Sequence, residues 1–244
     1  MAYQMTFKRY EMKYLLTEQE KTAILQAAEP YMELDQYGRT TIRNIYYDTD
    51  TYRLIRRSLE KPAYKEKLRI RSYQPAAPED PVFVELKKKY KSVVYKRRLI
   101  LPEFQVMSCF QDGRPLPIRS QIADEIEYFR SYYQTLRPAV FLSYDREAYR
   151  TLDGGDLRIT FDHNILYRKH NFSLGSAIYG IPLLENGLTL MEVKTAGGLP
   201  LWICHILNQL RRYKTSFSKY GSAYQHMMAE QSKISTQRGQ FYAG

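Results

Sequence analysis

The chain has 244 residues, enough for one large domain with a sizeable core. Its composition, 44% hydrophobic and 26% charged, excludes a disordered chain. Lys and Arg outnumber Asp and Glu by 37 to 26, and the net charge of +11 points to an anionic partner: nucleic acid, anionic lipid or a phosphorylated small molecule.

The first predicted strand runs from Phe7 to Leu15. Thr17 and Glu20 have the spacing of a capping box, which opens a helix to about Tyr31. A second strand covers Thr40 to Tyr47, and Asp48-Thr49 supplies cap chemistry for a short helix from Tyr52 to Leu59. Lys65 to Tyr73 is a third strand, followed by a proline-rich loop from Gln74 to Pro81. Val82 to Lys89 and Val93 to Leu101 read as a hairpin around Tyr90-Lys91-Ser92. After a loop at Asp112 to Pro117, Gln121 to Gln134 has helical spacing, with Ile122, Ile126 and Phe129 on one stripe. Ala139 to Thr151 and Leu157 to Tyr167 form a second hairpin around Asp153-Gly-Gly-Asp156. Leu188 to Thr195 is the last strand, and helices follow over Leu199 to Tyr213 and Lys219 to Glu230. No linker divides the chain, so residues 1–231 read as a single domain and 232–244 as a polar, disordered tail.

Three features narrow the setting. Met1 to Tyr10 lacks the apolar stretch of a signal peptide, and no apolar run approaches the roughly 18 residues of a membrane span. Only Cys109 and Cys204 are present, without a CxxC or Cys/His cluster, so neither a disulfide framework nor a zinc site is expected. A cytoplasmic location follows as the expectation.

The strands carry the functional signal. Successive side chains of a strand point to opposite faces. Lys67, Arg69 and Arg71 therefore share one face while Leu68 and Ile70 share the other. The same alternation sets Glu85 and Lys87 against Val84 and Leu86, and Glu192 and Lys194 against Met191 and Val193. Lys96 joins Arg98; Arg158 joins Thr160 and Asp162; Tyr144 joins Arg146; Arg9 joins Glu11 and Lys13. An ordinary amphipathic sheet mixes signs on its wet face. Here, with Lys219, the face collects twelve cations against Glu11, Glu85, Asp162 and Glu192, an excess of eight. Crowding of that kind is costly unless water or an anion compensates it, and a chain of phosphates is the natural compensator. Arg offers phosphate a planar bidentate fork, and Lys a point charge.

These residues resemble a known family. Arg9-Tyr-Glu-Met-Lys13 is similar to the E-x-E-x-K signature of the triphosphate tunnel metalloenzymes, the CYTH superfamily. Tyr46-Tyr-Asp-Thr49, Lys67-Leu-Arg-Ile-Arg71, Val84-Glu-Leu-Lys87, Tyr144-Asp-Arg146, Arg158-Ile-Thr-Phe-Asp162, Glu192-Val-Lys194 and Ser216-Phe-Ser-Lys219 follow in the order of its VTC branch, the catalytic domain of polyphosphate polymerases. The resemblance implies an α+β fold: a closed eight-stranded antiparallel β-barrel, the triphosphate tunnel, with helices packed outside.

It also implies roles. Lys13, Arg69, Arg71, Lys87, Lys96, Arg146, Arg158 and Lys219 would act on the transferring phosphates. Arg9, Lys67, Arg98, Tyr144, Lys194 and Ser216 would bind substrate. Glu192 would be the principal ligand of a Mn²⁺ or Mg²⁺ ion, with Glu11 and Glu85 nearby. ATP and inorganic polyphosphate would be the substrates. Arg9 stands where the hydrolases of the superfamily place a metal-binding Glu, which favours a polymerase over a two-metal hydrolase. A (tri)phosphatase and a non-catalytic polyphosphate-binding module remain the alternatives. Nucleic acid is not an expected partner, because cations inside a tunnel cannot track a duplex. A membrane-protein partner, and a place at the cytoplasmic face of a membrane, are implied by the eukaryotic relatives.

Overall fold

The structure, a computed structural model, describes residues 10–91 and 93–241. β1 (Tyr10–Thr17) passes into α1 (Glu18–Ala28) through the expected capping box: the Glu20 amide donates to Thr17 Oγ1 at 3.3 Å, and the Thr17 amide donates to Glu20 Oε2 at 2.8 Å. β2 (Met32–Asp48) begins eight residues before the expected strand. Its register against β6 (Arg137–Thr151) shifts between Leu34 and Arg39, where Gly38 takes φ +56°, a conformation that glycine adopts without strain.

Asp48 ends β2 and caps α2 (Arg53–Leu59). Its carboxylate accepts the amides of Leu54 at 2.9 Å and Ile55 at 3.0 Å, and the Tyr220 hydroxyl at 2.8 Å. β3 (Tyr64–Ser72), β4 (Pro81–Tyr90) and β5 (Val93–Pro102) form a meander. α3 (Glu103–Asp112) follows directly and is absent from the sequence reading. Its signals are Pro102 before the first turn and Gly113 at φ +71° after the last, with Val106 and Cys109 buried. α4 (Gln121–Tyr133) is capped by Ser120, whose hydroxyl accepts the Ala123 amide at 3.1 Å. β7 (Arg158–Arg168), the two-residue β8 (Ile181–Pro182), β9 (Leu188–Thr195) and α5 (Leu201–Gln209) precede α6 (Lys219–Phe241). α6 runs on to Phe241, through residues expected to fray.

Every strand pair is antiparallel, in the order β1-β9-β7-β6-β2-β3-β4-β5, with β8 on β7. A flat sheet would hold β1 and β4 six strand spacings apart, roughly 29 Å. Instead Glu11 of β1 lies 4.0 Å from Lys87 of β4, so the sheet curls on itself.

Two expectations are corrected. Among the described residues the curled sheet is not closed by hydrogen bonds: β1 and β5 are its two ends and do not pair. One reason is local, since the free edge of β1 is occupied where the Thr215 amide donates to Lys13 O at 2.8 Å. Nor do all the helices lie outside. α1 and α5 cover the outer apolar face at Tyr14, Leu16, Phe161 and Met191, and α3 and α4 cover it at Leu68, Val84 and Leu86. α6 instead packs on the inner face. Tyr220 stacks on Tyr46 with ring centroids 5.0 Å apart, and Ala223 and Met227 share a core with Tyr144 and Ile165.

Both cysteines are free, and no described helix is long and apolar enough to cross a membrane.

Asp48 thus joins the start of α2 to the inner helix. Asp48→Ala should lower stability by about 1–3 kcal/mol, the cost of leaving buried donors unpaired, measured by urea denaturation. Tyr220→Phe, which removes only the bond to α6, should cost less.

Candidate functional site

The inner face of the curled sheet gathers the charges that alternation assigned to it. Ten cations (Lys13, Lys67, Arg69, Arg71, Lys87, Lys96, Arg98, Arg146, Lys194 and Lys219) face Glu11, Glu85, Asp162 and Glu192 among the described residues. Eight of the ten cations fall into two clusters, and Lys67 and Lys87 stand apart from both, against Ser218 and Glu11.

The first cluster lies on β3–β5 around Glu85, which is 1% exposed. Arg69 grips its Oε2 with Nε at 2.8 Å and Nη2 at 2.7 Å. Lys96 Nζ and Arg98 Nε reach Oε1 at 2.7 and 2.8 Å, and Arg71 stands at 3.9 Å. Burial opposes ionisation of this carboxyl, but Arg69, Arg71 and Lys96 outweigh it and hold it far below the usual carboxylate range. The two guanidiniums are fixed from behind. Arg69 Nη1 donates to Tyr46 Oη at 2.9 Å, while Arg71 donates to Asn44 Oδ1 at 2.9 Å and to Tyr144 Oη at 3.1 Å.

The second cluster joins β1, β9, β7, β6 and the first residue of α6. Glu192 receives Lys194 at 2.8 Å, Lys219 at 3.1 Å, and Lys13 and Arg146 each at 3.4 Å. Asp162, fully buried, takes a two-pronged grip from Arg146 at 2.5 and 2.6 Å, and Lys219 at 2.5 Å. Burial again works against both carboxylates; Lys219 leads the cations that keep both lowered, Glu192 well below its ordinary value. The same acids raise Lys219 above the ordinary lysine value in spite of its burial. Tyr144 connects the clusters. Its hydroxyl meets Arg71, and its ring lies 4.6 Å from Lys219 Nζ and 5.2 Å from the Arg146 guanidinium carbon.

Glu11 touches Lys13 at 3.3 Å and, across the seam, Lys87 at 4.0 Å. Lys13 also donates to Phe217 O at 2.9 Å, and Lys67 to Ser218 Oγ at 3.4 Å, so residues 217–218 bridge β1 and β3 through the interior. Burial and neighbouring lysines bring Lys67 down to about 8, and burial brings Lys96 down to about 8 against the pull of Glu85. Tyr46, which burial would push up, falls to about 8 beside Arg69, Arg71 and Lys67.

Three predicted residues are not brought into this inner-face group. Arg9 lies outside the described residues. Arg158 sits at the start of β7, half exposed, and pairs with Asp35 at 3.0 Å. Ser216 is exposed, and Ser218 meets Lys67 in its place. Asp162, Asn44, Tyr46 and Ser218 carried no assigned role. Alternation with Arg158, and Tyr46 with Asn44 on the β2 face opposite Arg69 and Arg71, were the signals available.

Every carboxylate of the site is engaged by cations, and no group of three or more His, Cys, Asp and Glu side chains among the described residues is arranged to hold a metal. A magnesium-like ion needs only one or two protein carboxylates when phosphates complete its shell, and Glu192 with Glu11 across Lys13 meets that requirement in hard oxygen donors.

A sequence model of the VTC domain matches residues 8–228. The chain belongs to the VTC domain family. Two solved structures share the fold at low identity. One is a candidate adenylate cyclase from Bacillus halodurans, with 15% identity over 88% of this chain and 95% of that one, and a TM-score of 0.54. The other is a candidate adenylyl cyclase from Hippeastrum with a dominant triphosphatase activity, with 15% identity over 86% of this chain and 92% of that one, and a TM-score of 0.52. No curated protein matches the sequence.

Lys67 and Lys96 are charged below about pH 8 and neutral above it, and Tyr46 gains negative charge over the same interval. Each change removes positive potential as the pH rises. Sulfate, whose own charge is constant in this range, should therefore bind more weakly at pH 9 than at pH 7. A calorimetric pH series measures the decline, and Lys67→Met combined with Lys96→Met should shrink it.

Proposed function

We propose that this VTC domain is a metal-dependent ATP:polyphosphate phosphotransferase, moving the γ-phosphoryl group of ATP onto a growing inorganic polyphosphate chain. The observation that carries the reading is the excess of six positive charges on one inner face, arranged in two linked clusters. A nucleoside triphosphate and a polyanionic acceptor together supply the charge that this face lacks.

Lys13, Arg146, Lys194 and Lys219 at one cluster, and Arg69, Arg71, Lys96 and Arg98 at the other, would hold phosphates on both sides of the reacting bond, with Lys67 and Lys87 between them. A terminal oxygen of the polyphosphate attacks the γ-phosphorus; the bond from that phosphorus to the β,γ-bridging oxygen breaks, and ADP leaves with the electron pair. The attacking oxygen is already ionised, so no general base is required. The cations oppose the charge that develops on the bridging oxygen, and they align donor and acceptor. Glu192 and Glu11 would hold Mn²⁺ or Mg²⁺, which supplies further neutralisation of phosphate charge when bound.

A second reading is hydrolysis. The Hippeastrum protein of the same fold has a dominant triphosphatase activity. A hydrolase needs only an ordered water where the polymerase holds an anion.

The test is product analysis with purified protein, ATP and Mn²⁺. Acid-labile polymer and ADP are expected, with free phosphate a minor product and any lag shortened by short polyphosphate. Stoichiometric orthophosphate without polymer replaces this reading with the hydrolase, and tight triphosphate binding without either product replaces it with a binding module. Glu192→Gln should abolish metal-dependent turnover without abolishing triphosphate binding, because Lys13, Arg146, Lys194 and Lys219 remain to hold the phosphates.

A further inference from the structure

Glu85 differs from the other carboxylates of the inner face. Glu192 and Asp162 share Lys219 and Arg146, and Glu11 reaches Glu192 through Lys13. Among the described residues Glu85 has no acid paired with the same cations, and the charged groups against it are Arg69, Arg71, Lys96 and Arg98. A divalent cation placed there would meet four cations and one carboxylate. A phosphate group placed there would meet the donors it needs. Arg69 turns Nε and Nη2 toward the carboxylate, and these are N–H groups that a guanidinium can offer to phosphate oxygens.

The four cations also differ in freedom. Arg69 and Arg71 are held from behind by Tyr46, Asn44 and Tyr144. The side chains of Lys96 and Arg98 are 42% and 34% exposed. They can turn toward an anion in the lumen while the two inner guanidiniums stay in place.

We infer that Glu85 is an internal stand-in for a phosphate group: in the empty site it holds the four cations together, and it yields Lys96 and Arg98 to an entering polyphosphate without ligating metal. The inference rests on the polyphosphate reading above for the identity of the anion. It assigns Glu85 a positioning role and removes it from the expected metal ligands.

The experiment is calorimetric titration of tripolyphosphate, with and without Mn²⁺, into the wild type, Glu85→Gln and Glu192→Gln. Without metal, Glu85→Gln should bind roughly tenfold more tightly than wild type, because the buried carboxylate no longer competes with the ligand for Lys96 and Arg98. Its gain in affinity on adding Mn²⁺ should equal that of the wild type, whereas Glu192→Gln should lose that gain. Weaker binding by Glu85→Gln, or loss of its Mn²⁺ gain, overturns the inference. A wild type that does not bind tripolyphosphate defeats the polyphosphate reading itself, a different outcome from wild-type binding with a weakened variant. If Glu85→Gln does not fold, Glu85→Asp is read in the same titration: a smaller gain in affinity with Mn²⁺ dependence intact supports the inference, and weaker binding or lost Mn²⁺ dependence overturns it. Failure of both variants to fold even with tripolyphosphate present also overturns it, because the ligand should then replace the carboxylate.

Discussion

Mutual repulsion among the inner cations is the constraint on which the rest of the structure depends. Ten like charges on one face of a curled sheet would drive the strands apart if they stood alone. The structure answers with few acids, each shared widely. Glu85 serves four cations, Glu192 serves four, and Asp162 ties Arg146 to Lys219. The sharing leaves a positive surplus that no described side chain neutralises. The apolar outer face, under α1, α5, α3 and α4, supplies the burial that lets the sheet tolerate this surplus.

Aromatic hydroxyls perform a second part of the same task. Tyr46 and Tyr144 accept from Arg69 and Arg71, and Tyr144 presents its ring to Lys219 and Arg146. A tyrosine can satisfy a guanidinium without cancelling its charge, which an additional carboxylate would do. Cations held by neutral partners keep their attraction for a ligand. This distinction explains why a binding face can be both well ordered and strongly positive.

The strand faces were legible in the sequence because a period of two residues is strict. Lys67, Arg69 and Arg71 on one side, with Leu68 and Ile70 on the other, could not be arranged differently in an extended strand. Position along a strand was less legible. Arg158 has the correct face, but it lies at the start of β7, where Asp35 takes it. Alternation also says nothing outside regular structure, so Ser216 and Ser218 could not be told apart before α6 begins. A helix starting at Lys219 was readable, but not the side of the sheet that it covers; that is decided by the ring of Tyr46 and the carboxylate of Asp48, both distant in sequence. Closure was equally hidden, since it depends on which group reaches the free edge of β1.

The seam between β1 and the β3–β5 meander carries a consequence for girth. Around the rest of the curled sheet the circumference is fixed by backbone ladders. At the seam it is fixed by side chains: Lys87 meets Glu11 at 4.0 Å with both partly exposed, and residues 217–218 reach Lys13 and Lys67. An exposed ion pair contributes under about 1 kcal/mol and weakens as salt rises. The bore is therefore elastic along one line and stiff everywhere else.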